Sequence, residues 1–157
     1  MKRVALLAVP AMVLGAASLS AQARPASPTA TARAGAPAAG SVIRVRMLQN
    51  GARYTFDPAN FTVKQGDIVE FVNASGFPHN VEFEATKIPA GAADVLNRNM
   101  PNRLGNVQGP MMTQANATYR VSFAGAPVGT YEYFCLPHKA LNMKGVITVQ
   151  AAGAARR

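Results

Sequence analysis

The sequence predicts an all-β domain, a sandwich of about eight strands, running from Ser41 to Gln150. Three observations carry that prediction. Apolar and polar residues alternate with a period of two in short runs, the pattern of strands with one buried face. Glycine and proline clusters separate the runs, as in Gln65-Gly66-Asp67 and Gly125-Ala126-Pro127-Val128-Gly129. The stretch is about a hundred residues long, the size of such a sandwich.

Residues 1–23 read as a secretory signal peptide. Lys2 and Arg3 give the positive start, Val4 to Ala17 the apolar stretch, and Ala21-Gln22-Ala23 the small-x-small cleavage site. The apolar run is shorter than the roughly 20 residues a spanning helix needs, and Pro10 and Gly15 interrupt it, so cleavage is expected over retention as an anchor. Lys2-Arg3 is not a twin arginine, which points to the general secretion route. The expected location is periplasmic or otherwise exported, with no stable membrane insertion after cleavage. Residues 24–40, rich in Ala, Pro, Thr and Gly, read as a flexible linker, and 151–157 as a flexible tail.

Within the domain, Ile43, Val45 and Met47 share one face, with Arg44 and Arg46 opposite. Ala52 to Phe56 forms the next strand, and Phe61 and Val63 mark the third. Val69 and Phe71 flank Glu70, and Val81 and Phe83 alternate with Glu82 and Glu84. Tyr119, Val121 and Phe123 follow. Tyr131, Tyr133 and Cys135 share a face opposite Glu132 and Phe134, and Gly145 to Gln150 closes the domain with a β-branched run. Ala85 to Ala117 is one long connection, with a short helix expected over Ala92 to Arg98. Connections of that length are often functional. Its Met100, Met111 and Met112 read as packing filler rather than as a cover for a metal.

The charge is +9, or +7 once Lys2 and Arg3 leave with the leader, which favours acidic partners. No dense Lys/Arg cluster is interleaved with aromatics, so no nucleic acid is expected. The single cysteine allows no internal disulfide, although export usually accompanies disulfides. A free thiol in an oxidising compartment is a liability unless a metal or an intermolecular disulfide occupies it.

Cys135 also stands in the most informative segment. Cys135-x-x-His138-x-x-x-x-Met143 places a thiol, an imidazole and a thioether on one tight loop after a strand. The second of only two histidines, His79, lies in Gly76-Phe77-Pro78-His79-Asn80-Val81, far upstream. Two imidazoles, one thiolate and one weak axial thioether form the ligand set of a mononuclear type 1 (blue) copper site. Taken singly, each residue has an ordinary reading as core filler or satisfied polar group. Taken together, they require the only Cys and both His to converge by accident. A binuclear copper centre needs two bridging cysteines, which this sequence lacks.

These segments bear a family resemblance. Cys135-Leu136-Pro137-His138-x4-Met143 resembles the copper loop of the plastocyanin and pseudoazurin branch of the cupredoxins, the blue copper proteins. Pro78-His79-Asn80-Val81 resembles their upstream ligand segment. Phe56-x-Pro58, then Thr62-Val63-Lys64-x-Gly66-Asp67-x-Val69-x-Phe71-x-Asn73, resembles their second and third strands. The resemblance implies a Greek-key sandwich binding one copper ion. His79, Cys135 and His138 would be strong ligands, Met143 the axial ligand, and Asn80 a hydrogen-bonding support that ties the two ligand segments together. It also places the His138 ring edge at the surface, collared by Phe77, Pro78, Leu136, Pro137, Ala140 and Leu141, with Lys139 and Lys144 to steer acidic partners. Phe134 stands where plastocyanins commonly carry tyrosine. Their acidic patches have no counterpart in this basic chain, so a photosynthetic partner is not implied.

The leading expectation is an electron carrier, not an enzyme, that works as a monomer and meets its redox partners transiently. The alternative is a copper chaperone or buffer on the same fold. A metal-free adhesion module is a third reading. Asn60, Asn73 and Asn116 head glycosylation-acceptor triplets, which a bacterial-looking leader makes irrelevant.

Overall fold

The computed structural model describes residues 40–153. The expected leader, the linker up to residue 39 and the tail from residue 154 lie outside the described residues. Two four-stranded sheets form. The first joins β1 (Val42–Asn50), β2 (Arg53–Asp57), β4 (Ile68–Asn73) and β6 (Thr118–Ser122) in the order β2-β1-β4-β6. The second joins β3 (Asn60–Lys64), β5 (Glu82–Phe83), β7 (Gly129–Phe134) and β8 (Lys144–Gln150) in the order β3-β8-β7-β5. β1 runs parallel to β4 and β3 parallel to β8, while every other pair is antiparallel. The expected eight-stranded sandwich is therefore present.

The alternation that predicted the strands also builds the core. Val45 and Met47 of β1, Val69 and Phe71 of β4, Tyr131 and Tyr133 of β7, and Ile147 and Val149 of β8 are all buried between the sheets. Aromatic rings fill the middle. Phe56 lies 4.7 Å and Phe71 5.7 Å from the Tyr133 ring, and Phe123 meets Tyr131 edge to face at 5.7 Å. The two tyrosine hydroxyls do not go unpaired. Tyr133 donates to the Ala59 carbonyl and Tyr131 to that of Pro127.

The long connection is more than a loop. Its helix α1 (Ala92–Asn99) packs Ala92 and Leu96 into the core. Asn99 then caps the end of β6 by donating to the carbonyls of Ser122 and Ala124. The chain returns antiparallel to the segment before β5. Met112 and His79 exchange both backbone hydrogen bonds, Gly109 N–H donates to the Val81 carbonyl, and Phe83 N–H to that of Val107. Gly109 is required at that approach, because a Cβ there would sit 2.7 Å from the Tyr119 ring. The regular strand is correspondingly short, since β5 holds only two residues where the alternation ran from Val81 to Glu84. Met100 and Met112 are buried filler, as expected, whereas Met111 is 40% exposed.

One charged residue on the outer face of the first sheet is buried. Glu70 sits opposite Arg44 on β1 and Arg120 on β6, and both guanidinium groups close over it. Arg44 Nε reaches Oε2 at 2.8 Å, and Arg120 Nε and Nη2 reach Oε1 at 2.9 and 2.7 Å. The hydrogen bonds from Arg120, then Arg44, hold the Glu70 carboxyl below its ordinary value of 4.5, outweighing its burial. A depressed carboxylate stabilises the fold above its unfolded pKa, and that stability is lost as pH falls through the folded value. Glu70→Gln is therefore expected to lower stability at neutral pH and to flatten the loss of stability below about pH 4.5, read from denaturant midpoints across the acid range.

Candidate metal centre

The site forms where β7 ends. Cys135 follows β7, and the chain then makes a 3-10 segment, Leu136–Leu141, before β8 begins at Lys144. Pro137 suits the start of that turn. Two features bend it back. His138 departs from helical geometry (φ −116°, ψ 15°), and Asn142 adopts the left-handed conformation (φ 64°, ψ 29°), which Asn tolerates better than most residues. Backbone bonds close the loop. Cys135 N–H donates to the Met143 carbonyl, Met143 N–H to that of His138, and His138 N–H to that of Cys135, each at 3.1 Å.

His79 arrives from a segment far upstream, held between Asn73 and Met112. The Asn73 amide donates to the carbonyls of Phe77 (2.8 Å) and Met112 (3.1 Å), and its oxygen accepts from Gly76 N–H. Asn73 is fully buried, so it is no glycosylation acceptor in the folded chain. Asn80 ties the two segments together, its side-chain oxygen accepting the Leu136 N–H at 2.7 Å.

One donor atom each from His79, Cys135 and His138 lies within 4.8 Å of the other two. Cys135 Sγ is 3.6 Å from His79 Nδ1 and 3.4 Å from His138 Nδ1. His79, Cys135 and Met143 are fully buried. Ser75 Oγ sits 2.9 Å from His79 Nε2. With that nitrogen protonated, the serine accepts its N–H, and the Nδ1 lone pair faces the thiol.

Burial keeps the imidazoles neutral. It draws His79 down to about 4, with the neighbouring His138 adding to the effect, and it lowers His138 as well. Burial raises the Cys135 thiol, against the backbone hydrogen bonds from Asn80 and His138 that favour a thiolate. Two neutral imidazoles and one thiol, with Met143 buried at the far end of the same loop, are soft, uncharged donors. This cluster matches a mononuclear type 1 copper site and suits a hard, carboxylate-seeking ion poorly.

His138 is less open than expected. It is only 9% exposed, because the Tyr54 ring of β2 lies flat on it, 3.7 Å between centroids and 10° from parallel. Phe77 meets the same tyrosine edge-on at 6.4 Å. The apolar collar itself is exposed, with Phe77 at 45%, Leu136 at 46% and Leu141 at 54%. Lys139 is not free to steer, since it pairs with Glu84 at 2.8 Å. Tyr54 and Ser75 were the residues that sequence reasoning missed. Ser75 could have been suspected from its place four residues before His79, but nothing in the pattern of β2 marks Tyr54 as a partner of His138. In the metal-free protein, Tyr54→Ala is expected to admit water to His138 and move its titration upward toward 6.5, as followed by NMR of the imidazole protons. An unmoved titration would show that the stack does not desolvate the ring.

Comparison with known proteins agrees with this geometry. The sequence profile of copper binding proteins of the plastocyanin/azurin family matches residues 43–150. The chain is 35% identical to a plastocyanin of Scenedesmus fuscus over 109 residues, which span 69% of this chain and 99% of that protein. Among solved structures, a mutant plastocyanin of a fern superposes with a TM-score of 0.53 at 29% identity, covering 69% of this chain and all of that one. The pseudoazurin of Methylobacterium extorquens AM1 superposes with the same TM-score at 26% identity, covering 74% of this chain and 78% of that one. With its sandwich, its convergent donors and these relatives, the chain belongs to the plastocyanin/azurin family of copper-binding proteins.

Proposed function

We propose that this chain is an exported electron carrier that holds one copper ion between His79 Nδ1, Cys135 Sγ, His138 Nδ1 and the Met143 thioether. The observation that supports it most is the meeting of three donors, His79 lying 56 positions before Cys135 and 59 before His138, within 4.8 Å inside the sandwich. Copper bound there supplies reversible one-electron chemistry between Cu(II) and Cu(I). The protein contributes constancy of geometry. Ser75 fixes the His79 ring, Asn80 fixes Leu136 beside Cys135, and the Cys135–Met143 backbone bond fixes the ends of the loop. Four protein donors leave no open position for a substrate, which fits a carrier and not an enzyme.

Export follows from residues 1–23 read as a leader, with 24–40 as linker and 151–157 as tail. Among the described residues no helix is long and apolar enough to cross a membrane. The exposed collar of Phe77, Leu136 and Leu141 suits brief docking with a redox partner, and small interfaces are typical of such encounters. An acidic partner fits best. Arg44 and Arg120, 70% and 61% exposed, share the single Glu70 carboxylate and so leave a net positive charge there, and Arg46 and Arg53 are exposed on the same sheet face.

A visible spectrum of the copper-loaded chain tests the reading. An intense blue colour with Cu(II), bleached reversibly on reduction and abolished in Cys135→Ser, is the expected result. A chain that takes up only Cu(I), stays colourless and releases the metal readily would instead be a copper chaperone or buffer. Lys144 is exposed directly after Met143. Its charge favours the state carrying the extra electron, so Lys144→Glu should lower the reduction potential in a redox titration, and a rise would contradict that electrostatic role.

A further inference from the structure

Lys139 follows His138 directly, in the middle of the 3-10 segment, and although its side chain is 44% exposed, its ammonium is held against the protein. Nζ lies 2.8 Å from Glu84 Oε2 and 3.7 Å from the centre of the Phe134 ring. Glu84 stands just past β5, on the segment that carries His79, and Phe134 immediately precedes Cys135. One side chain, attached beside the third donor, therefore grips both other donor-bearing segments.

The surroundings fit a fastening role. Phe134 points to the outer face of its sheet, opposite Tyr133 and Cys135, and yet is only 5% exposed. The lysine lies across its ring, joining packing of the stem to attraction between cation and π-face. Glu84 is a fixed anchor, because its N–H donates to the Glu132 carbonyl and its carbonyl accepts from Lys87 N–H. The segment being fastened needs support. It is a short 3-10 turn with a kink at His138 and a left-handed residue at Asn142, and Leu136 and Leu141 face solvent.

We propose that Lys139 is a positioning residue, a clasp that presses the His138 segment onto the His79 and Cys135 segments and so holds the donor atoms in register from outside. Its consequence for bound metal rests on the copper reading above; its mechanical role does not.

The alternative is that Lys139 acts only through its charge, and a double-mutant cycle in the full chain separates the two. The variants are Lys139→Met, Glu84→Gln, the double variant and Lys139→Arg. Amide hydrogen exchange of Leu136 and Met143 is measured without metal, and the rate of copper loss to a chelator and the reduction potential are measured with copper. A clasp predicts that each single substitution speeds both exchange and copper loss, by roughly three- to tenfold for a partly exposed ion pair plus a cation–π contact. It also predicts that adding Glu84→Gln to Lys139→Met brings little further change, and that Lys139→Arg stays near the parent. A pure charge effect predicts that the two single substitutions shift the potential in opposite directions, that the double variant returns it to the parent value, and that exchange is unaltered throughout. That result would overturn the proposal. If the parent chain takes up no copper, the copper reading fails, while exchange in the metal-free variants still decides the clasp.

Discussion

The antiparallel register of β7 and β8 governs the site. Phe134 pairs with Lys144, so Cys135 and Met143 face each other one step beyond the last strand pair, and their backbones are hydrogen-bonded. The chain between them must turn back on itself, and His138 sits inside that turn. A slip of one residue would carry the thiol from the inner face of the sandwich to the outer one, since side chains alternate along a strand. Gly145 shows how tightly the register is held. A Cβ there would lie 2.2 Å from the Ala59 carbonyl and 2.5 Å from the Tyr133 hydroxyl, so neither neighbour leaves room to shift.

Around that hinge point the donors are neutral because they are dry. Burial, not a charged neighbour, is the main reason that both imidazoles keep a free lone pair near neutral pH. The same burial works against ionisation of the thiol, which only two backbone N–H groups offset. A metal cation is the remaining group that would favour the thiolate. The chain thus spends its charges elsewhere, on Glu70 beneath two arginines and on the Lys87–Glu132 and Lys139–Glu84 pairs.

Most of the sandwich was legible because half-buried strands leave a period of two in the sequence. Val45 and Met47 or Tyr131 and Tyr133 report their own burial without knowledge of their neighbours. The ligand set was legible for a different reason: a chain with one cysteine and two histidines offers few ways to assemble such chemistry. What escaped was contact between segments that carry no shared pattern. Tyr54 lies 84 positions before His138, and nothing local links an exposed-looking tyrosine in a short strand to an imidazole across the domain. Exposure of His138 was overestimated for the same reason. Likewise, composition identified the connection from Ala85 to Ala117 as long and irregular, yet its return alongside Val81 depends on backbone pairing that side-chain pattern does not encode.

That returning segment divides the connection into two kinds of ground. Residues 101–104 are exposed, with Leu104 at 67%, and they lie at the outer bend of the excursion. From Val107 onward the backbone is pledged to Phe83, Val81 and finally His79. A peptide tag or fluorescent reporter spliced near Asn102 would meet open solvent, whereas the same graft a few residues later would pull on the backbone of the segment that carries His79.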